Sequence, residues 1–282
     1  MSAEPILPNR LGPPPIALNG PALTIRKFWK TTLTAEDLLR FGAWDEKIVT
    51  LVRACVMGRA NMVISGGTGS GKTSLANLLA RMIPEDERII TIEMAAELDL
   101  PQTRVVRLEA RPPNLEGKGE VTVRDLVQNA LRMRPDRLIL GEARGAEVLD
   151  FLQAMNTGHD GSFCTLHANS PRDALARFEV MASSGNPSIP LVGLREQMAS
   201  AINLIIHIER LPDGARRVMR VSEVQGMQGD AILLADIFAF QQIGFESGKV
   251  TGRFVATGQI PKFLSRLREM GILLPMETFA PG

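Results

Sequence analysis

The apolar run Asn61-Met62-Val63-Ile64-Ser65 leads into Gly66-Gly67-Thr68-Gly69-Ser70-Gly71-Lys72-Thr73 and then into Ser74-Leu75-Ala76-Asn77-Leu78-Leu79. The eight central residues meet the pattern G-x-x-x-x-G-K-[ST] at each fixed position, between a strand-like and a helix-like segment. Glycines let successive backbone N–H groups turn inward around a phosphate, because a Cβ would block the approach or the positive φ it needs. The N-terminus of the following helix adds its partial positive charge. Lys72 is expected to reach the β- and γ-phosphates, and the Thr73 hydroxyl to ligate Mg²⁺. Gly66, Gly67, Thr68, Gly69, Ser70, Gly71, Lys72 and Thr73 are therefore the nucleotide-binding candidates. The sequence holds neither the Asn-Lys-x-Asp tetrapeptide that reads guanine nor an LSGGQ string. ATP is the expected nucleotide.

Working outward, short β-branched runs alternate with amphipathic helical segments. Strands are expected at residues 61–65, 88–93, 105–110, 137–141 and 162–168, and helices at 72–82, 123–133, 145–156 and 172–182. Strands alternating with helices of this length imply βαβ units, so the predicted fold is α/β with a mostly parallel sheet and flanking helices. Upstream, Thr34 and Asp37 have capping-box spacing, Gly42 is placed to stop that helix, and a second helix is expected over 45–58. Pro5, Pro8, Pro13, Pro14, Pro15 and Pro21 make the start an extended arm rather than a helix. A short strand is expected at 23–28. Downstream, 202–210 and 215–224 flank Pro212-Asp213-Gly214, a hairpin signal. Strand-like runs at 232–241 and 253–256 precede a final helix at 261–270, giving a smaller C-terminal hairpin and helix appendage.

A P-loop enzyme needs an acidic group near the metal or the attacking water. The string Leu138-Ile139-Leu140-Gly141-Glu142 offers Glu142 at a strand's C-terminal end, where open α/β sheets bind ligands. Glu142 is the candidate general base, and it would meet the metal through a water. Glu93 ends another apolar strand and is a second candidate, to orient the water or help hold the metal. The segment 158–169 holds His159 and His167, two of the chain's three histidines. His167 ends an apolar strand and is placed to report the γ-phosphate. His207, inside an apolar run, reads as a structural residue, and no His or Cys pair has zinc spacing. Residues 104–137 carry eight basic and five acidic side chains, so some of these arginines are candidates to reach the triphosphate of a neighbouring subunit.

Composition excludes more than it assigns. The chain has 282 residues, a net charge of +1 and 45% hydrophobic residues, enough to bury a core. Bulk disorder and binding of nucleic acid by charge alone are excluded. No direct nucleic-acid partner is expected. Two cysteines give no disulfide framework, which favours a reducing compartment. No apolar stretch approaches the roughly 20 residues of a membrane-spanning helix. A cytoplasmic location follows as the expectation.

The P-loop string, the acidic string Thr91-Ile92-Glu93-Met94-Ala95-Ala96-Glu97-Leu98, the strand ending in Glu142 and the histidine-bearing segment occur in an order that resembles the secretion ATPase superfamily. These are the motors of type II and type IV secretion, pili and conjugation. The longer strings at 110–145 and 152–179 look like the CpaF-type branch, the motors of tight-adherence (Tad/Flp) pili, with conjugation ATPases as near relatives. The resemblance implies a RecA-like P-loop core at residues 59–282, an arm or linker at 1–22, and a remnant of the N-terminal domain at 23–58, that domain being largely missing. It implies an ATPase that uses Mg²⁺ and works as a hexamer with inner-membrane platform proteins, peripheral to the cytoplasmic membrane.

Residue by residue, it gives Lys72 and Thr73 the Walker A roles and Glu142 that of the Walker B base. Glu93 and Glu97 match the acidic box, and His159 and His167 the histidine box. Arg144 matches the arginine after the Walker B glutamate, and Arg26 resembles a linker arginine that contacts nucleotide. Met94 stands where the family usually has aspartate. The implied alternatives are a conjugative DNA-transfer motor, and a nucleotide-binding regulatory subunit with little turnover.

Overall fold

In the computed structural model of the chain, residues 33–281 are described; the proline-rich arm, the strand expected at 23–28 and Arg26 lie outside them. The described residues belong to one unit. Its first helices are short and capped as the sequence indicates. Thr34 and Asp37 form a reciprocal capping box at α1 (Ala35–Arg40), and Asp45 accepts from Ile48 N to start α2 (Glu46–Met57).

From there strand and helix alternate. β1 (Met62–Gly66) is followed by α3 (Lys72–Arg81), β2 (Ile89–Glu93), β3 (Val105–Glu109) and α4 (Val123–Ala130). Then come β4 (Arg137–Leu140), α5 (Glu147–Asn156), β5 (Phe163–His167), α6 (Pro171–Gly185) and α7 (Leu191–Ala201). The last third supplies β6 (Leu204–Arg210), β7 (Arg216–Gln228), β8 (Ala231–Glu246), β9 (Lys249–Ala256) and α8 (Leu264–Glu269).

These strands form one sheet in the order β3-β2-β4-β5-β1-β6-β7-β8-β9. Pairs from β3 across to β6 are parallel, and those from β6 to β9 antiparallel. The expected α/β class and mostly parallel core are present. The C-terminal hairpin continues the same sheet, since β6 pairs in parallel with β1 and antiparallel with β7.

The central strands are buried on both faces, which is why β1, β2 and β4 read as mainly apolar rather than alternating runs. Alternate residues serve two cores. Met62 and Ile64 pack with α2 and α3 on one side, and Val63 packs with α4 to α7 on the other. Leu75 and Leu79 of α3, like Val148, Phe151 and Leu152 of α5, are buried. Burial of each such side chain contributes about 1.5–3 kcal/mol. The α2 helix, expected to belong to the N-terminal remnant, shares its core with α3 and β1.

Two features have no counterpart in the sequence reading. α7 follows Pro190 and buries only Leu194, Met198 and Ala201, so its apolar stripe is thin. The β8–β9 hairpin runs well beyond the apolar segments, to Glu246 paired with Lys249.

Candidate active site

The phosphate loop joins β1 to α3 as the glycine spacing requires. Gly69 has a φ of 71° and Gly71 a φ of 101°. Both lie in a region that favours glycine. Gly71 is the residue from which α3 starts. Gly66 is needed for a different reason. A Cβ there would stand 2.1 Å from the Ile208 carbonyl oxygen and 2.6 Å from Ser70 Oγ, so β6 packs directly on the loop's first residue. At Gly67 a Cβ would meet nothing within 4 Å. Ser70 Oγ is buried without a hydrogen-bond partner among the described residues. Open space, turned-in glycines and an unsatisfied hydroxyl together fit a phosphate.

Lys72 lies in the first turn of α3 and is almost wholly buried, with Nζ donating to Gly67 O at 2.9 Å. Burial pushes its ammonium below the usual range, against the pull of Glu142. His167 ends β5 beside β1, its Cα paired with that of Gly66. Its Nδ1 lies 3.4 Å from Lys72 Nζ, and its Nε2 lies 3.0 Å from Glu142 Oε1. An ammonium has only donors to offer, so Nδ1 accepts and Nε2–H donates to the carboxylate. The structure thus gives the ring its neutral tautomer. Burial and then the Lys72 charge lower the His167 pKa, while Glu142 raises it in part.

Glu142 sits just past β4. Its backbone neighbours are fixed: Gly141 N donates to Ile92 O and Thr165 Oγ1 donates to Gly141 O. Its second oxygen, Oε2, accepts from Arg144 Nη2 at 2.6 Å. Lys72, His167, Glu142 and Arg144 form one connected group beside the loop. Thr73 is partly buried in the first turn of α3. The hard oxygens of Thr73 and Glu142 suit Mg²⁺, which in such sites takes its other ligands from phosphate and water.

Three candidates stand elsewhere. Glu93 is buried against Gly141, whose Cβ would come within 2.7 Å of Glu93 Cγ. Its Oε1 accepts from Glu97 N and Leu98 N, both at 2.9 Å, and Oε2 has no hydrogen-bond partner among the described residues. Burial raises its pKa and the two N–H donors oppose this. Glu93 therefore fastens the acidic loop behind Glu142, and Met94 after it is exposed.

His159 stands apart from this group. It precedes β5, and among the described residues its ring meets only Ala154 O, while its own carbonyl accepts from Ser162 Oγ. His167 closes the far end of the same strand, so within one chain His159 lies at the sheet edge opposite the phosphate loop. The arginine-rich stretch is also largely engaged inside the chain. Arg137 is fully buried with both Glu87 oxygens at 2.7 Å and donates to Val56 O, and Arg124 pairs with Asp150. His207 is structural, held between Ser65 Oγ at 2.9 Å and Glu209 Oε1 at 3.0 Å. Sequence reading missed Arg216, whose Nε donates to Gly69 O at 3.0 Å; the signal available was its place beside the hairpin turn.

With this geometry in view, comparison with known proteins gives a family. The family described as "Type II/IV secretion system protein" matches residues 6–249. The chain belongs to it. A putative conjugal transfer protein of Mycobacterium tuberculosis is 41% identical over 216 residues, covering 77% of this chain and 61% of that protein. The type IV secretion system protein PtlH of Bordetella pertussis is 41% identical over 186 residues, 64% of this chain and 53% of that protein. Among solved structures, the VirB11 ATPase of the Brucella suis type IV secretion system, in complex with sulphate, has a TM-score of 0.57 at 28% identity. That match covers 72% of this chain and 66% of VirB11. The chain spans about three fifths of the mycobacterial relative's length.

Proposed function

We infer that this chain is an ATP-hydrolysing motor subunit of a type II/IV secretion-class machine, such as a Tad/Flp pilus assembly system, acting in a hexameric ring. The observation that carries the reading is His167, whose ring joins the Lys72 ammonium to the Glu142 carboxylate. In this mechanism Gly66 to Thr73 cradle the phosphates of ATP and Lys72 holds the β- and γ-oxygens. Glu142 takes a proton from the attacking water as its oxygen bonds to the γ-phosphorus. The bond to the β–γ bridging oxygen breaks, and ADP and phosphate leave. Bound Mg²⁺ would neutralise the developing phosphate charge, and Thr73, with Glu142 through a water, would hold it. His167, neutral and donating to Glu142, keeps that carboxylate oriented and senses charge arriving at Lys72.

Arginines from a neighbouring subunit would complete the site, and the ring would sit at the cytoplasmic face of the membrane against platform proteins. Among the described residues no helix is long and apolar enough to cross a membrane. A second reading, a conjugative DNA-transfer motor, is favoured by the 41% identity to the mycobacterial protein whose description names conjugal transfer.

The test is steady-state ATP hydrolysis measured with oligomer mass for the wild type, Lys72→Ala and Glu142→Gln. Turnover lost in Glu142→Gln with ATP binding retained supports the mechanism. Equal turnover in the wild type and Glu142→Gln removes Glu142 as base, and a wild type that binds ATP without turnover favours a regulatory subunit. Deletion of the gene, followed by assays of pilus formation and of DNA transfer, separates the two transport readings.

A further inference from the structure

We propose that Arg210 and Arg216, facing each other across the β6–β7 hairpin, form a cationic clamp in the same chain for the α- and β-phosphates of the bound nucleotide. This rests on the nucleotide-binding reading above and adds a second flank to the loop. Arg210 is paired directly opposite Arg216 in the antiparallel register. Side-chain alternation puts them on the same face as Ile208 and Val218. Those two pack with Leu75 in the core that holds α3. Both arginines therefore project toward the phosphate loop.

The loop contacts agree. Arg216 Nε donates to Gly69 O at 3.0 Å, and its Cδ would lie 3.1 Å from a Cβ on Gly71. Arg210 Nη1 comes within 4.0 Å of where a Gly69 Cβ would stand, and Arg210 lines a cleft of about 230 Å³ with Gly67, Thr68 and Ser70.

Like charges placed directly opposite on paired strands destabilise the pairing. A protein keeps such a pair at little cost where a carboxylate or an anion lies between them. Among the described residues neither arginine has a carboxylate within ion-pair distance. The adjacent Glu209 places Oε1 on His207 Nε2 at 3.0 Å. Arg216 instead anchors on the Gly69 carbonyl, and Arg210 borders the open cleft beside Gly67, Thr68 and Ser70. β5 with His167 flanks β1 on one side, and β6 with β7 on the other. The arginines therefore approach the loop from its β6 side, across a cleft that Ala168 and Asn169, just past His167, close on the other. Two planar guanidinium forks suit this task, since phosphate is recognised by paired N–H donors.

The test is the Kd of ADP and of a non-hydrolysable ATP analogue, by calorimetry on the full chain, with ligand-free thermal unfolding alongside. Arg210→Gln is expected to weaken both nucleotides by the same factor, about 10- to 100-fold, the range of a hydrogen bond to a charged group. Arg210→Lys, which keeps the charge, should recover most of the affinity. The ligand-free midpoint of Arg210→Gln should equal or exceed that of the wild type, because one of two opposed cations is gone. An unchanged Kd in both Arg210→Gln and Arg216→Gln, with binding lost in Lys72→Ala, overturns the clamp and leaves the nucleotide site standing. A loss confined to the ATP analogue overturns the assignment to the α- and β-phosphates. A wild type that binds neither nucleotide overturns the clamp and the functional reading together.

Discussion

The Nε2 atom of His167 lies 3.0 Å from Oε1 of Glu142, although one ends β5 and the other follows β4. Parallel neighbours β4 and β5 bring their C-terminal ends side by side, and the third partner, Lys72, arrives from the helix that follows β1. One neutral ring thereby connects the cation of the phosphate loop to the carboxylate proposed as base.

Replacing His167 with alanine should lower kcat about 10- to 100-fold, as expected when an orienting partner of a general base is lost. The Kd for ADP should stay within about threefold, because the loop itself is intact. Single-turnover kinetics with calorimetry separates the two quantities; an equal loss in both would assign His167 to binding.

The same ring predicts a pH dependence. Its pKa is lowered from the ordinary 6.5 in the folded protein, by burial first and then by Lys72. It stays neutral until the pH falls below about 6.5 and gains a charge beside Lys72 as the pH passes the lowered value. Wild-type kcat should therefore decline on that acid side. The residual activity of His167→Ala, profiled over the same pH range, should lack this limb.

Two neighbouring glycines should behave differently. Gly66→Ala forces a Cβ to within 2.1 Å of a backbone oxygen of β6. It should lose about 1–3 kcal/mol or more in urea unfolding. At Gly67 the added methyl of Gly67→Ala meets open space. That variant should stay within about 0.5 kcal/mol of wild type. A Gly66→Ala protein as stable as Gly67→Ala would mean that β6 does not pack on the loop.

Arg137 is fully buried and bound by both oxygens of Glu87 and by Val56 O. Arg137→Ala removes the bidentate partner of the buried Glu87 carboxylate and leaves it to Arg59, 3.2 Å from Oε2, so it should cost up to about 3 kcal/mol. The double variant Arg137→Met with Glu87→Leu should recover part of that loss, as denaturant midpoints would register.

Glu93 titrates in the opposite sense to His167. Burial raises its folded pKa. The stability contributed by its neutral form is therefore present below the unfolded value of about 4.3 and lost as pH rises through the folded value. Urea unfolding of the wild type and Glu93→Gln should shift in favour of the wild type as the pH is lowered from neutral toward the unfolded value. A constant difference would show that Glu93 is not held in a destabilising environment.

The parallel core is legible because its signals are local. The apolar run of β1, the glycines after it and the amphipathic α3 state their structures within the single stretch 62–81. His167 and Glu142 are legible as strand-end residues. His159 is not, because motif membership says nothing of which edge of the sheet a residue occupies. β5 begins after His159 and ends on His167. At a rise of about 3.3 Å per residue, the strand carries them to opposite edges. α7 is hidden by exposed Leu191 and Val192, which break the stripe formed by Leu194, Met198 and Ala201. At the tip of the β8–β9 hairpin, Ile243, Phe245, Glu246 and Lys249 are exposed, so its apolar residues mark no buried face. Arg210 and Arg216 acquire meaning only once β6 is seen beside β1.

That adjacency also sets an order of events during synthesis. The loop's first glycine is packed under Ile208 and its third has its carbonyl held by Arg216, 147 residues further along the chain. Each recognisable motif has left the ribosome well before the hairpin that completes the loop's surroundings. A growing chain halted just before β6 would carry the whole signature and an unfinished cradle. Such long-range closure slows folding and leaves apolar strand edges open meanwhile. The nucleotide can therefore meet its finished site only after the C-terminal third is in place.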